Sequence, residues 1–162
     1  MKNLLIILSL VILYTFTSSC QQKGDQAAAD IEAINSYFDQ ISSTLNGGNV
    51  DGWISLFTDD VIKMQPNAES IEGKEAVLQW ALSWFNNYNM EESHSIQDIK
   101  VSGDWAFAVL NMILKATPKG GGEMIEMNHK SIWILKHQLD GSWKCSYHIW
   151  NSNDPLPPAK GE

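Results

Sequence analysis

The hydrophobic residues change their spacing about halfway along the chain. Between residues 31 and 45 they recur every three or four positions, and residues 74–86 repeat that spacing, which is typical of helices. From residue 93 onward, apolar and polar residues alternate in runs that end at glycine-containing turns, as they do in β-strands. Helices followed by an antiparallel meander predict an α+β fold, in which the N-terminal helices pack on one face of a curved antiparallel sheet.

Cap and turn residues set the expected boundaries of the elements. Asp30 is the expected cap of the first helix, which Gly47 and Gly48 end. The pair Asp59 and Asp60 is expected at a turn between a short helix and a short strand, where carboxylates accept backbone hydrogen bonds. The other expected elements are helices over residues 53–57 and 74–86, and strands over residues 61–65, 93–101, 105–116, 123–138 and 142–151.

The composition limits the partners that the chain can have. A chain of 162 residues with 44% hydrophobic residues has the size and the core material of one domain. Its net charge is −8 and its 11 basic residues are all lysine, so we expect no nucleic acid partner. Its 4 histidines lack the spacing of metal ligands, and we expect neither a metal nor a cofactor.

The first residues have the features of a secretory signal. Lys2 supplies a positive charge, and an apolar stretch over residues 4–13, too short to span a bilayer, precedes small polar residues. The residues Thr17-Ser18-Ser19-Cys20 resemble a bacterial lipobox. Residues 1–19 are therefore predicted to be a signal peptide, and Cys20 is predicted to be the lipidated first residue of the mature protein. An ordinary signal peptide with an incidental cysteine is the alternative.

This resemblance implies a location and a domain organisation. It implies a lipid anchor at Cys20 in the cell envelope of a Gram-negative bacterium, and Gln21 after the cysteine favours the outer membrane. Residues 20–29 are expected to form a flexible tether, residues 30–154 the folded domain and residues 155–162 a tail. If Cys20 is lipidated, Cys145 has no second cysteine with which to form a disulfide. We expect Cys145 to be a small buried strand residue rather than a catalytic thiol.

Five segments carry a resemblance to a known family. They are residues 48–61 (GNVDGWISLFTDDV), residues 65–67 (QPN) with 72–77 (EGKEAV), residues 103–106 (GDWA), residues 140–144 (DGSWK) and residues 148–152 (HIWNS). Their sequences and their order resemble the motifs of SnoaL-like and ketosteroid-isomerase-like domains, and the last segment resembles an uncharacterised branch of that group. The resemblance covers residues 28–154 and implies the cone-shaped nuclear transport factor 2-like fold. That fold hosts isomerases, cyclases, dehydratases, transport adaptors and binding modules, so it does not define a function.

The resemblance also permits a test of isomerase chemistry. Ketosteroid isomerases use an aspartate base, together with an oxyanion hole made of a tyrosine and a protonated aspartate. In this chain Gln65 aligns with the base, and Ile41 and Trp133 align with the two oxyanion donors. Because an amide does not accept a proton at neutral pH, we expect no ketosteroid isomerase activity.

Alternation along the last two strands places polar and aromatic side chains on one face. His129 and Trp133 on one strand are expected to face His148 and Trp150 on the next. His148 is the best candidate for an acid or base, because imidazole titrates near neutral pH; a hydrogen-bonded wall histidine is the alternative. His94 and His137 are expected at strand ends or on the surface. The predicted ligand pocket contains Gln65, Trp80, Trp84, His129, Trp133, His148 and Trp150.

Three functions are compatible with these residues. The leading interpretation is a cavity that binds a small, largely apolar molecule, with no catalysis implied. The first alternative is a SnoaL-like isomerase, cyclase or dehydratase that uses His148 as acid or base. The second is a dimeric interaction module. A homodimer is expected through the sheet face that points away from the helices, which carries Ile132, Ile134, Tyr147 and Ile149.

Overall fold

The computed structural model describes residues 26–155. The predicted signal peptide, Cys20 and residues 156–162 of the predicted tail lie outside this range. Within it, no helix has both the length and the apolar character needed to cross a membrane.

Three helices contribute to the fold. The first, α1, covers residues 26–46; α2 is Val50–Ser55 and α3 is Lys74–Asn87. The predicted start at Asp30 is too late, because residues 26–29 are already helical, and three of these four residues are alanine, the strongest helix former. Residues 26–29 of the predicted tether are therefore part of α1. Gly48, at φ 66°, adopts the left-handed conformation that commonly ends a helix.

Six strands form one mostly antiparallel sheet in the order β2-β1-β6-β5-β4-β3. The four long strands follow one another as a meander, each antiparallel to the next. β1 extends this meander by pairing in parallel with β6, a pairing that the sequence pattern did not predict. The predicted α+β architecture is confirmed. The strands are β1 (Phe57–Met64), β2 (Ile71–Glu72), β3 (Tyr88–Ser102), β4 (Trp105–Pro118), β5 (Ile125–His137) and β6 (Trp143–Ser152).

The segment around Asp59 and Asp60 differs from the prediction. Phe57 already belongs to β1, and the pairing of β1 with β6 is irregular between Phe57 and Ile62. Both aspartates are therefore exposed strand residues rather than residues of a turn. Asp59 Oδ1 lies 3.4 Å from Nζ of Lys74, which makes a surface ion pair. Surface ion pairs contribute little to stability. The two aspartates are therefore solvated surface residues rather than paired catalytic carboxylates.

The core lies between the helices and one face of the sheet. Trp133 of β5 is at its centre, with 2% of its surface exposed. Its ring meets the edge of Phe38 from α1 at a centroid distance of 5.5 Å, and Phe57 lies 6.1 Å away. From α3, Val77 and Ala81 are buried against the same cluster. Because side chains alternate along β5 and β6, every second residue of these strands also faces this core.

Candidate functional site

A cavity with aromatic and aliphatic walls lies between the helices and this face of the sheet. Its free volume is about 110 Å³; an apolar cavity of about 150 Å³ in another protein takes up benzene. The cavity therefore suits a molecule of about one ring. It is lined by Ile41, Leu45, Trp53, Lys63, Trp80, Ala81, Trp84, Phe85, Met90, Glu92, Met112, Leu114, Met127, His129, Trp133, His148 and Trp150.

The structure places most of the predicted pocket residues around this cavity. Trp80, Trp84, His129, Trp133, His148 and Trp150 all line it, whereas Gln65 does not. β1 ends at Met64, one residue before Gln65, so the alternation of side chains along the strand does not extend to Gln65. The last side chain of β1 in the wall is that of Lys63 instead.

Lys63 is the polar cavity residue that the sequence pattern missed. It is 3% exposed, and its Cα pairs with that of His148 on the parallel strand β6. Its Nζ lies 4.7 Å from the ring centres of Trp80 and Trp150 and 5.3 Å from that of Trp53. Within residues 26–155, none of the ion pairs includes Lys63. Aromatic faces and an imidazole, rather than a carboxylate, therefore surround this ammonium group.

Burial changes the protonation of Lys63. Removal from water disfavours the charged form and lowers the pKa of Lys63 from its usual 10.5 to about 8. Near pH 7 the group is therefore mostly an ammonium ion, with roughly a tenth present as the free amine. An exposed lysine has a far smaller free-amine fraction at this pH, so Lys63 is present as the free amine more often than a lysine on the surface.

His148 lies next to Lys63 between two indole rings. Its ring stacks on Trp133 at 3.8 Å and on Trp150 at 5.0 Å. Its Nδ1 lies 3.1 Å from Lys63 Nζ. An ammonium group can only donate, so Nδ1 accepts and the ring proton of neutral His148 is on Nε2. Burial, followed by the nearby charge of Lys63, lowers the pKa of His148 well below 6.5, and the imidazole is neutral at pH 7.

Two buried N–H groups in the cavity wall lack a partner. Neither Nε1 of Trp53 nor Nε2 of His148 has a hydrogen-bond acceptor among the described residues. With Lys63, they make three donors on residues that line one small cavity. A buried donor without an acceptor is costly, and the ammonium group of Lys63 is the charged donor among the three, so a ligand that carries an oxygen acceptor suits this cavity.

Glu92 brings a second polar cluster to the cavity. Glu92 is 5% exposed, accepts a hydrogen bond from Ser42 of α1, and has its Oε1 3.3 Å from Nδ1 of His94. The hydrogen bond that the His94 imidazole donates to Glu92 raises the pKa of His94 above 6.5. The prediction that His94 lies at a strand end or on the surface is therefore wrong: this residue is within β3 and largely buried.

The remaining candidate residues have structural surroundings. His129 lines the cavity, where burial and then the charge of Lys63 lower its pKa. His137 ends β5 and packs against Trp143 at a centroid distance of 4.9 Å. Cys145 is fully buried in β6, and burial raises the pKa of its thiol far above the ordinary value. Across residues 26–155, no three metal-ligating side chains come together.

The opposite face of the sheet carries a row of exposed apolar side chains. Trp105, Phe107, Ile132 and Ile149 are 41%, 42%, 44% and 45% exposed. Lys136 Nζ lies 5.4 Å from the ring centre of Trp105 and interrupts this surface with a charge. The predicted open face therefore extends from β5 and β6 onto β4.

Solved structures with the same architecture define the class of fold. A ketosteroid isomerase-like protein from Erwinia carotovora atroseptica has a TM-score of 0.68 and 22% identity, over 76% of this chain and 96% of that one. A conserved protein from Planctomyces limnophilus has a TM-score of 0.71 and 23% identity, over 75% and 94%. A nuclear transport factor 2-like superfamily protein from Salmonella enterica has a TM-score of 0.66 and 10% identity, over 81% and 96%. The fold is therefore nuclear transport factor 2-like, as the five sequence motifs implied.

The family follows from the sequence itself. The family model described as the SnoaL-like domain matches residues 34–137. The chain therefore belongs to the SnoaL-like domain family. No curated protein matches it. The identities to the solved structures are low enough that they show the fold and leave the function to be argued from the cavity.

Proposed function

We propose that this SnoaL-like domain binds a small, largely apolar molecule of about one ring, whose oxygen acceptor lies against Lys63 and His148. The observation that carries the proposal is the buried ammonium group of Lys63, which has no ion-paired carboxylate within residues 26–155. Burying a charge without a partner of opposite sign is expensive. A ligand oxygen with negative or partial negative charge would lower that cost.

The rest of the cavity explains why the ligand should be mostly apolar. Trp80, Trp84 and Trp150 are half-buried and line the cavity, together with Met127 and Leu114. Apolar surface removed from water contributes about 25 cal/mol per Å², so contact with these side chains favours a hydrocarbon ring. A hydrogen bond from a charged donor adds about 1.5–3 kcal/mol, which corresponds to roughly 10–100-fold in affinity.

The binding of one-ring probes tests this proposal. Benzoate, benzyl alcohol and toluene should each change the tryptophan fluorescence of the protein in a saturable way. We expect the two oxygen-containing probes to bind about 10–100-fold more tightly than toluene. Ala81→Phe should abolish binding because Ala81 is buried and lines the cavity, whereas Ala76→Phe on the exposed side of the same helix should not. Unchanged binding by Ala81→Phe, or no saturable response to any probe, would contradict the proposal.

One observation favours proton-transfer chemistry as a second candidate function. Neutral His148 contacts the amine of Lys63 and has its other nitrogen without a partner among the described residues. A SnoaL-like isomerase, cyclase or dehydratase would need such a residue to accept and return a proton. Exchange of the α-protons of acetophenone in D₂O, followed by NMR, tests this role. His148→Gln should reduce the exchange to the uncatalysed rate; equal exchange by the variant would exclude His148 as the acid or base.

We also infer two properties of the assembled protein. The lipobox-like residues before Cys20 support attachment of the domain to the cell envelope by a lipid anchor. The row of exposed apolar residues on β4, β5 and β6 supports a homodimer that covers this face. A homodimer through this face would leave the ligand cavity free, because the row of exposed residues is on the other face of the sheet.

A further inference from the structure

We propose that Lys63 binds carbonyl compounds covalently, by forming an imine with a small aldehyde or ketone inside the cavity. This inference rests on the proposed function, because it names the chemical class of the ligand and the atom to which it becomes attached. It is nevertheless separate, since a ligand could occupy the same cavity without any covalent bond.

The position of the amine is the first argument. Lys63 is 3% exposed, yet its side chain lines the cavity, so a molecule in the cavity meets the amine without bulk water around it. The rings of Trp53, Trp80 and Trp150 lie around Nζ, and its hydrogen bond is to an imidazole rather than to a carboxylate. A lysine in a desolvated, apolar pocket is the setting in which lysine acts as a nucleophile toward carbonyl groups.

The availability of the free amine is the second argument. A pKa of about 8 gives Lys63 a free-amine fraction near pH 7 that is roughly 300-fold larger than that of a lysine with the usual value of 10.5. This advantage separates Lys63 from the exposed lysines. Lys100, for example, is paired with Asp98 on the surface at 2.8 Å.

The neighbouring imidazole is the third argument, because imine formation needs protons to be moved. The lone pair of Lys63 Nζ forms a bond to the carbonyl carbon, while the π electrons of the C=O bond move to oxygen. His148 Nδ1, 3.1 Å from Nζ, takes a proton from nitrogen and returns it to the oxygen on the neighbouring carbon. The resulting carbinolamine loses its hydroxyl group together with the remaining proton on nitrogen as water, which leaves the imine. No oxidant, reductant or further reactant is needed.

The size of the cavity and an unpartnered donor in its wall define the carbonyl compound. About 110 Å³ suits a single ring. Trp53, whose Nε1 has no hydrogen-bond partner among the described residues, also lines this cavity. Benzaldehyde has both the ring and the carbonyl, so it is the probe of choice.

Trapping by reduction tests the proposal on the full-length chain. Benzaldehyde and cyanoborohydride are added, and the modified lysines are mapped with a protease that cleaves at acidic residues. We expect a benzyl group on Lys63 at a level well above that on Lys100, because the amine of Lys63 is in the ligand cavity and that of Lys100 is on the surface. Lys63→Arg keeps the charge and removes the reactive amine, so it should lose this product, whereas Lys100→Met should retain it.

The tryptophan fluorescence of the same samples separates the two proposals. If benzaldehyde binds saturably but reduction labels the lysines according to their exposure, the imine is excluded and the proposed ligand cavity is retained. If neither benzaldehyde nor benzyl alcohol binds and Lys63 stays unlabelled, both proposals are wrong. Selective labelling of Lys63 that an excess of benzyl alcohol suppresses would support both.

Discussion

Replacing Lys63 by methionine should change the pH dependence of stability in a predictable direction. Methionine is a flexible apolar residue that can fill much of the space of the lysine stem. The lowered pKa of Lys63, from 10.5 to about 8, corresponds to an unfavourable contribution of about 3 kcal/mol to folding at pH 7, at about 1.4 kcal/mol for each pH unit. The variant loses the hydrogen bond to His148 Nδ1, which costs about 1–3 kcal/mol. We therefore expect Lys63→Met to be at least as stable as the wild type at pH 7.

The sign of the pH effect follows from linkage. The pKa of Lys63 is lower in the folded state, so between pH 8 and pH 10.5 the unfolded chain binds more protons than the folded one. The penalty is fully present below pH 8 and disappears as the pH rises through this range. The contribution of Lys63 to the free energy of unfolding is about −3 kcal/mol at pH 7 and about −2 kcal/mol at pH 9. Between these pH values, the free energy of unfolding of the wild type should therefore rise by about 1 kcal/mol relative to that of Lys63→Met.

Urea unfolding, followed by tryptophan fluorescence at pH 7 and pH 9, measures this difference. The contributions of groups that titrate in both proteins cancel when the free energies of unfolding of the wild type and the variant are compared at the same pH. Lys100→Met is the matched control, because Lys100 is an exposed lysine. The free energy of unfolding of this variant should change between pH 7 and pH 9 by the same amount as that of the wild type. If the free energies of unfolding of the wild type and Lys63→Met differ by the same amount at both pH values, Lys63 is not a buried ammonium ion.

Three further predictions concern the anchor, the assembly and the absent isomerase base. Cys20 should be lipidated, so metabolic labelling with a palmitate analogue should mark the wild type and not Cys20→Ala; equal labelling of both proteins would contradict this. The domain without its lipid should sediment at micromolar concentration with about twice the monomer mass, and Ile132→Asp should shift it to the monomer; a monomeric wild type would refute the dimer. The protein should turn over a β,γ-unsaturated ketosteroid only at the background rate, because the position that aligns with the base is occupied by Gln65 rather than by a carboxylate. Gln65→Asp should not restore activity, and robust turnover by the wild type that Gln65→Ala or His148→Ala abolishes would show that the base has been misassigned.

The sequence predicted the general fold because its strongest patterns agree with the tertiary structure. The helical spacing of α1 and α3 and the alternation of the four long strands each report a single buried face. Asp140 and Gly141 also mark the turn between β5 and β6. The pairing next to this turn is shifted by one residue, and an irregularity between Ile134 and Leu135 brings Trp133 opposite His148, as predicted.

The parts that could not be predicted depend on contacts between distant segments. The parallel pairing of β1 with β6 has no signature in a short strand such as residues 57–64. That pairing turns Lys63 toward the cavity, and β1 ends before Gln65. The polar residue that β1 contributes to the cavity wall is therefore Lys63, two positions before the predicted Gln65. A lysine in a strand of alternating polarity is normally assigned to the solvent face, and burial alone distinguishes this one. His94 was similarly misplaced, because its partner Glu92 is buried by α1.

The parallel pairing of β1 with β6 also determines when the cavity can be completed during synthesis. Lys63 and His148 are 85 residues apart, and their contact depends on one of the first strands docking against the last. Closing so long a loop has an entropic cost that contacts between sequence neighbours do not have. While the ribosome is still making β6, the helices and the first hairpins can assemble, but the lysine has no imidazole beside it. The nascent domain therefore passes through a stage in which its β1 edge is unpaired and its amine is open to water. Termination of the chain before residue 148 would leave the protein permanently in that state.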